Sequence, residues 1–263
     1  MRAIWSGSIT FGLVNIPCKL YTASQPRQVD LHMVCGTCGS QLLFRRWCPK
    51  CQKEVSWDET ERGYKISEDK WIIIKKEDLE RIKIPTTKII EIKEFIDVSQ
   101  IDPIFFEKPY YIVPQETGVK AYSLFVEALR LANKAALGKV VMRNKEYLVA
   151  LRAFKKGIVM HVLYYLGEVR EIEELSELKN LVVVSKEELE LARMLIQKLT
   201  ESEFDPKKFK DAYTEALMEL IKAKAEGKSV EVKEEKVEKA KELMEALKAS
   251  VETVKKKKKV KAR

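Results

Sequence analysis

Four cysteines in two closely spaced pairs constrain this chain more than any other feature of its 263 residues. The two C-x2-C pairs are Cys35–Cys38 and Cys48–Cys51, with nine residues between them. Gly36 and Pro49 lie inside the pairs, where the backbone must turn tightly to present two thiolates to one ion. Four thiolates form a closed tetrahedral zinc site, which is structural because it has no open coordination position. We therefore predict a zinc-ribbon-like element at about residues 33–54, with one structural zinc ion.

Other uses of these cysteines remain open on sequence grounds. Two disulfides are one alternative, although the N-terminus has no apolar segment typical of a secretory signal. A redox C-x-x-C is another, but it needs only one pair. His32 lies three residues before Cys35 and is an alternative ligand. The fifth cysteine, Cys18, lies in an apolar segment, and we expect a buried thiol there.

Positive charge is concentrated in two places. The formal net charge is +9, and the last nine residues, 255–263, carry +7 of it. The window Arg130–Lys156 holds eight basic residues and one acid, Glu146, which gives another +7. Two concentrated basic regions on a balanced body suggest a polyanionic partner. The alternatives are a tail that only aids solubility and a charged face that only meets solvent.

The candidate DNA-binding residues follow from this distribution and from two arginines beside the second cysteine pair. They are Arg45, Arg46, Arg130, Lys134, Lys139, Arg143, Lys145, Arg152, Lys155, Lys156, Lys255, Lys256, Lys257, Lys258 and Lys259.

The sequence pattern in the first two thirds of the chain is typical of a fold with many short strands. Apolar stretches at 71–74, 88–95, 105–113, 139–143 and 157–166 are separated by frequent proline and glycine. This pattern predicts an antiparallel sheet or barrel. One helix interrupts it, because Val119, Tyr122, Val126 and Leu129 recur at helical spacing. His161 lies in the last stretch and is expected to be a core histidine without a catalytic role.

From Ser185 onward the pattern becomes helical. Ser185 and Glu188 fit a capping box, and an apolar stripe runs from Leu189 to Leu199. Asp205-Pro206 predicts the start of a second helix that ends near Gly227. We expect a core at 1–184, a helical arm at 185–227, and a linker, an amphipathic helix and a basic tail at 228–263. The fold class is therefore α+β.

Several classes of protein are disfavoured. No apolar run approaches the roughly 18 residues of a membrane span. The chain contains only two histidines and none of the phosphate-loop, dinucleotide-binding, nucleophile-elbow or H-E-x-x-H motifs. We expect neither an enzyme nor a membrane protein.

The opening run closely resembles the N-terminus of prokaryotic Ku proteins, and further stretches match in order. The opening run is MRAIWSGSITFGLVNIP at 1–17, continued by Lys19-Leu20-Tyr21. The later matches are IDPIFF at 101–106, KPYY at 108–111, KAY at 120–122, EALR at 127–130, FDP at 204–206, EAL at 215–217 and LMEALKAS at 243–250. The resemblance covers nearly the whole chain.

The resemblance implies a β-barrel core and a ring-shaped homodimer. Such a ring threads onto double-stranded DNA ends without sequence preference, protects them and recruits an ATP-dependent ligase for non-homologous end joining. It has no catalytic activity, and its location is cytoplasmic, with the nucleoid. The amphipathic helix suits ligase recruitment through Leu243, Met244, Leu247 and Val251, although its apolar face could instead fold back onto the body. The lysine tail suits extra DNA affinity.

Two competing hypotheses remain at this stage. A zinc-ribbon regulator would read sequence on intact DNA and prefer one site over random DNA. A metal-dependent nuclease would lose turnover when one carboxylate or His161 is replaced, and no residue pattern nominates such a centre.

Overall fold

The computed structural model describes residues 1–25, 29–68, 70–81, 88–143 and 145–227. The chain divides into two compact units, residues 1–27 with 32–171 and residues 28–31 with 172–263. The strands of the first unit are β1 Trp5–Phe11, β2 Val14–Thr22, β3 Trp47–Cys48, β4 Lys53–Glu54, β5 Arg62–Ser67, β6 Lys70–Ile74, β7 Ile89–Asp97, β8 Phe106–Pro114, β9 Lys134–Met142, β10 Lys145–Phe154 and β11 Gly157–Leu163. Its helices are α1 Lys76–Arg81 and α2 Val119–Ala132, and the second unit holds α3 Lys186–Leu199 and α4 Ala212–Ala225.

Seven strands form a closed barrel in the order β1-β2-β8-β11-β10-β9-β7. The neighbours pair antiparallel except β1 and β7, which close the barrel as a parallel pair with Ser8 opposite Ile89. Closure removes the unpaired edges that an open sheet exposes. The predicted α+β fold with a β-barrel core is thereby confirmed.

The core forms where alternate barrel residues meet one face of α2. Ile9, Ile16, Leu20, Leu151 and Met160 are among its fully buried members. The buried residues of α2 are Tyr122, Phe125, Val126 and Leu129. Burying a side chain of this size stabilises the fold by roughly 1.5–3 kcal/mol each. The predicted helical stripe is confirmed except at Val119, which is exposed.

Tyr122 ties α2 to the barrel through its hydroxyl group. The hydroxyl donates to the Ile112 carbonyl on β8 at 2.6 Å and accepts from the Ile158 N–H on β11 at 2.9 Å. Ile112 and Ile158 face each other across this strand pair. Burial raises the pKa of Tyr122, so the hydroxyl remains a neutral donor.

Replacing Tyr122 with phenylalanine is expected to lower the free energy of unfolding by about 2–3 kcal/mol. The change removes the hydroxyl that bonds to two buried backbone groups, and a buried group that loses its partner costs more than the bond itself. Urea denaturation measures the effect. Tyr111→Phe is the matched control, because the Tyr111 hydroxyl makes no hydrogen bond within the described ranges and the ring is 37% exposed. Equal midpoints for the two variants would contradict the role of Tyr122.

The second unit contains two capped helices with no buried residue in either. Ser185 and Glu188 form the predicted capping box at the start of α3. The helix predicted from Asp205-Pro206 begins later: Asp205 caps only a short 3-10 turn, Pro206–Lys208. Asp211 caps α4 instead, because its carboxylate accepts from the Thr214 N–H at 3.0 Å and from the Thr214 hydroxyl at 2.6 Å.

No helix in the described ranges is both long enough and apolar enough to cross a membrane. The amphipathic helix predicted at 233–254 and the lysine tail lie outside the described residues. The same holds for the candidate partner-binding residues Leu243, Met244, Leu247 and Val251 and for Lys255 to Lys259.

Candidate nucleic-acid interface

Half of the basic residues in the window Arg130–Lys156 are already neutralised by acids. Salt bridges join Arg130 to Glu127, Lys134 to Asp97 at 2.7 Å, Lys139 to Glu146 at 2.8 Å and Lys145 to Glu168 at 3.1 Å. The hydrogen bonds that Lys139 and Lys145 donate to Glu146 and Glu168 raise the pKa of both lysines. Only Glu146 among these acids lies inside the window, so counting charge along the sequence overstates its free positive charge.

The other four basic residues, Arg143, Arg152, Lys155 and Lys156, form no ion pair among the described residues. Three of them lie at the end of β10 and in the turn that follows it. The Arg152 guanidinium lies 5.4 Å from the centre of the Phe154 ring, and the Lys155 amine lies 5.6 Å from it. These side chains are therefore available to an external anion.

We call Tyr111, Arg152, Phe154, Lys155 and Lys156 the basic–aromatic turn. Its two rings stack, with centroids 6.4 Å apart and planes inclined by 13°. All of its members except Arg152 line an open cavity of about 400 Å³. Cations beside exposed aromatic faces are the groups that bind phosphates and stack on bases.

A side chain outside this turn stabilises its backbone conformation. Lys155 adopts a φ of 50°, in the left-handed region that side chains rarely adopt. Its carbonyl accepts a hydrogen bond from the Arg130 guanidinium. Arg130, a predicted DNA-binding residue, thus contacts both the turn and Glu127.

A second basic cluster lies at the opposite end of β10, about 30 Å away along the strand. The Lys145 amine lies 5.2 Å from the Tyr147 ring, and the Lys108 amine lies 5.9 Å from the Tyr110 ring. Burial, and then the nearby Glu107, raise the pKa of Tyr110, and Arg143 is close enough to oppose them. Sequence reasoning missed Lys108, and the signal for it was the Lys108-Pro109-Tyr110 run.

His161 adds no positive charge to this surface. Its ring meets Phe106 edge-on at 5.0 Å, and its buried Nδ1 has no hydrogen-bond partner in the described part of the chain. Burial, and then the nearby Arg152, lower the pKa of His161, which keeps it neutral at physiological pH.

Each cysteine pair forms its own compact turn. The Gly39 N–H donates to the Cys35 carbonyl at 2.8 Å, and the Cys51 N–H donates to the Cys48 sulfur at 3.5 Å. Hydrogen bonds from Ser40 lower the pKa of Cys38 to about 7. Among the described residues, no three metal-ligating side chains come together, so the structure forms the two pairs without gathering all four sulfurs. Cys18 is fully buried, which raises its pKa to about 12.

The two arginines beside the cysteines have different partners. Arg45 forms a salt bridge with Glu54 at 3.0 Å across β3 and β4. The Arg46 guanidinium lies over the Trp57 ring, 3.7 Å from its centre. Arg46, unlike Arg45, therefore has no acidic partner among the described residues.

The family model and the similar proteins that match this chain carry the same family description. The family model described as the Ku70/Ku80 beta-barrel domain matches residues 10–191. Two proteins named "Non-homologous end joining protein Ku" illustrate the similarity. The one from Archaeoglobus fulgidus is 44% identical over 97% of this chain and 100% of its own length. The one from Bacillus subtilis is 35% identical over 90% of this chain and 76% of its own length.

Proposed function

Because this chain belongs to the Ku family, we propose that it binds the ends of double-stranded DNA as a ring-shaped homodimer in non-homologous end joining. Ku proteins are DNA-end-binding scaffolds rather than enzymes. The observation that carries the proposal is the set of cations without an acidic partner among the described residues. They are Arg152, Lys155 and Lys156 at one end of β10 and Lys108 and Arg143 near the other. They suit contacts to phosphates, which position a protein on DNA without reading its sequence.

Exposed apolar surface supports the homodimer. Hairpin β5–β6 has large apolar side chains on both faces, with Tyr64 opposite Ile72 on one and Trp71 on the other, all more than 45% exposed. An isolated two-stranded hairpin is marginally stable in water. Helices α3 and α4 also bury no residue within the chain. A second copy of the chain would cover such surfaces.

Dependence on free ends tests the proposed function. We would compare linear duplexes of rising length with a closed circle of the same sequence in a gel-shift series. Discrete bands that multiply with length, and no binding to the circle, are the expected result for rings that load from ends. Equal affinity for linear and circular DNA would overturn the ring mechanism and leave a protein that binds the DNA surface.

We also propose that the four cysteines hold one structural zinc ion. The support is their spacing and the two tight turns that present two thiols each. Zinc would join the two turns, which lack a core of their own, and so contribute directly to local folding.

Replacing Cys35 and Cys38 with serine is expected to release the zinc and destabilise residues 33–60. Metal analysis of the purified protein should give one zinc per chain for the native protein and none for the variant. Limited proteolysis should then cut this segment first in the variant. Cys18→Ser is the control and should retain its zinc, because Cys18 is buried in the barrel. Native protein purified without zinc would contradict the proposal.

End protection and ligase recruitment complete the proposed function. The ligase would dock on the amphipathic helix through Leu243, Met244, Leu247 and Val251, a proposal supported by the resemblance of the LMEALKAS segment to the family motif. The lysine tail would add phosphate contacts that do not depend on sequence.

A further inference from the structure

A cluster of exposed aromatic side chains surrounds the second cysteine pair. Phe44 is 81% exposed, Trp47 is 61% exposed and Trp57 is 73% exposed. Residues 42–53 carry four basic side chains and no acid. These residues belong neither to the basic–aromatic turn nor to the second basic cluster on the barrel. A structural zinc ion does not require exposed tryptophans.

Local contacts fix the position of both tryptophans. Trp47 lies on β3 opposite Glu54 on β4, and the Val55 N–H donates to the Arg46 carbonyl at 2.9 Å. Trp57 begins a short 3-10 turn, Trp57–Glu59. The turn is closed by the Ser56 N–H, which donates to Glu59 at 3.1 Å, and by the Thr60 hydroxyl, which donates to the Trp57 carbonyl at 2.7 Å. The two rings are thus presented by ordered backbone.

Two of the three acids at 54–59 are paired, and the third, Asp58, forms no ion pair among the described residues. Glu54 binds Arg45, and Glu59 binds Lys53 at 3.4 Å. Arg46, stacked on Trp57, and Lys50 form no ion pair in the part of the chain that the structure describes. Arg46 and Trp57 therefore place a cation without an acidic partner against a flat ring, and the exposed Trp47 and Lys50 belong to the same β3–β4 element.

We propose that Arg46, Trp47, Lys50 and Trp57, here called the Arg–Trp platform, bind unpaired nucleotides at a DNA end. Bases stack on exposed tryptophan regardless of their identity, while lysine and arginine contact the phosphates of the same strand. The absence of acids in residues 42–53 favours a phosphate-bearing strand over a protein partner. The inference rests on the proposed binding of duplex ends and gives the cysteine module a role in recognising overhangs.

The test compares the affinity of the full-length protein for two hairpin duplexes. One has a blunt end and the other has a short 3′ overhang of thymidines. Fluorescence anisotropy should show that the native protein binds the overhang about 10-fold more tightly, within the range expected for one or two stacked bases. The double variant Trp47→Leu, Trp57→Leu should lose this preference and keep its blunt-end affinity within about twofold. The variant Trp47→Phe, Trp57→Phe keeps the aromatic faces and should retain most of the preference.

A photochemical readout separates stacking from altered folding. An overhang containing 5-iodouracil should crosslink to the native protein at Trp47 or Trp57. It should not crosslink at position 47 or 57 of the leucine variant. Equal zinc content in the two proteins is the control for folding. Equal affinity for both duplexes in the native protein, or an unchanged preference in the leucine variant, would overturn the inference.

Failure of the underlying function has a different signature, because the native protein would then either leave the blunt hairpin unbound or bind a closed circle as tightly as the blunt hairpin. In that case an oligothymidine strand is the probe. Its binding should be lost in the leucine variant, and unchanged binding would overturn the inference.

Discussion

Replacing Arg152, Lys155 and Lys156 with glutamine is expected to weaken binding to linear duplex DNA about 100-fold or more at 0.1 M salt. Each phosphate contact contributes about 0.9 to the slope of log affinity against log salt concentration, so three lost contacts lower the slope by about 2.7 for each chain of the proposed homodimer. At 0.1 M salt, which is tenfold below 1 M, a slope lowered by about 2.7 corresponds to a loss of affinity of nearly three orders of magnitude if every contact is made. Anisotropy titrations at several salt concentrations measure both quantities.

The matched control removes the same charge from the same window. Lys134, Lys139 and Lys145 each form a salt bridge of 3.1 Å or less with an acid, and glutamine at these three positions also lowers the net charge by three. We expect less than about 10-fold loss, because these charges are compensated locally. Equal losses in the two triple variants would mean that net charge, not the basic–aromatic turn, determines affinity.

The difference between these two sets also shows what the sequence could not predict. The window was identifiable by counting charges, but three of the four acids that neutralise it lie outside it. Asp97 is 37 residues from Lys134, and Glu168 is 23 residues from Lys145. The pairing of β7 with β9 brings Asp97 opposite Lys134, and the 3-10 turn Leu166–Glu168 after β11 brings Glu168 to Lys145. Local sequence carries no trace of either contact. Arg46 and Trp57 are likewise neighbours only after β3 and β4 pair.

The strands were predictable to the extent that their periodicity was clear. Helix α2 and strands β7, β8 and β11 matched their sequence expectations because turn residues bound each segment. Strand β10 was missed, because both of its faces are largely covered and its dense apolar run lacks alternation. Strand β5 was also missed, since all six of its residues are exposed in the chain. The barrel itself came from the family resemblance, since periodicity left an open sheet equally possible.

Replacing Ile196 with lysine is expected to raise the dissociation constant of the homodimer about 100-fold or more. Ile196 is 66% exposed on the apolar stripe of α3, which also includes Leu189 and Leu199. In the proposed dimer this stripe packs on the partner, so a lysine there loses the burial of an isoleucine and places a charge in an apolar contact, at a cost of about 3 kcal/mol or more. Because a ring needs both halves, end binding should fall with dimerisation.

Gln197→Lys provides the control, because the same side chain is introduced one position away. Successive helical residues are 100° apart, so position 197 lies off the stripe. Analytical ultracentrifugation should show a dimer for the native protein and for Gln197→Lys but a monomer for Ile196→Lys at the same micromolar concentration. Gel shifts on linear duplex should then follow the dimer population. A dimer that persists in Ile196→Lys would place the interface elsewhere, with hairpin β5–β6 as the next surface to test. A monomeric variant with native end affinity would contradict the ring mechanism itself.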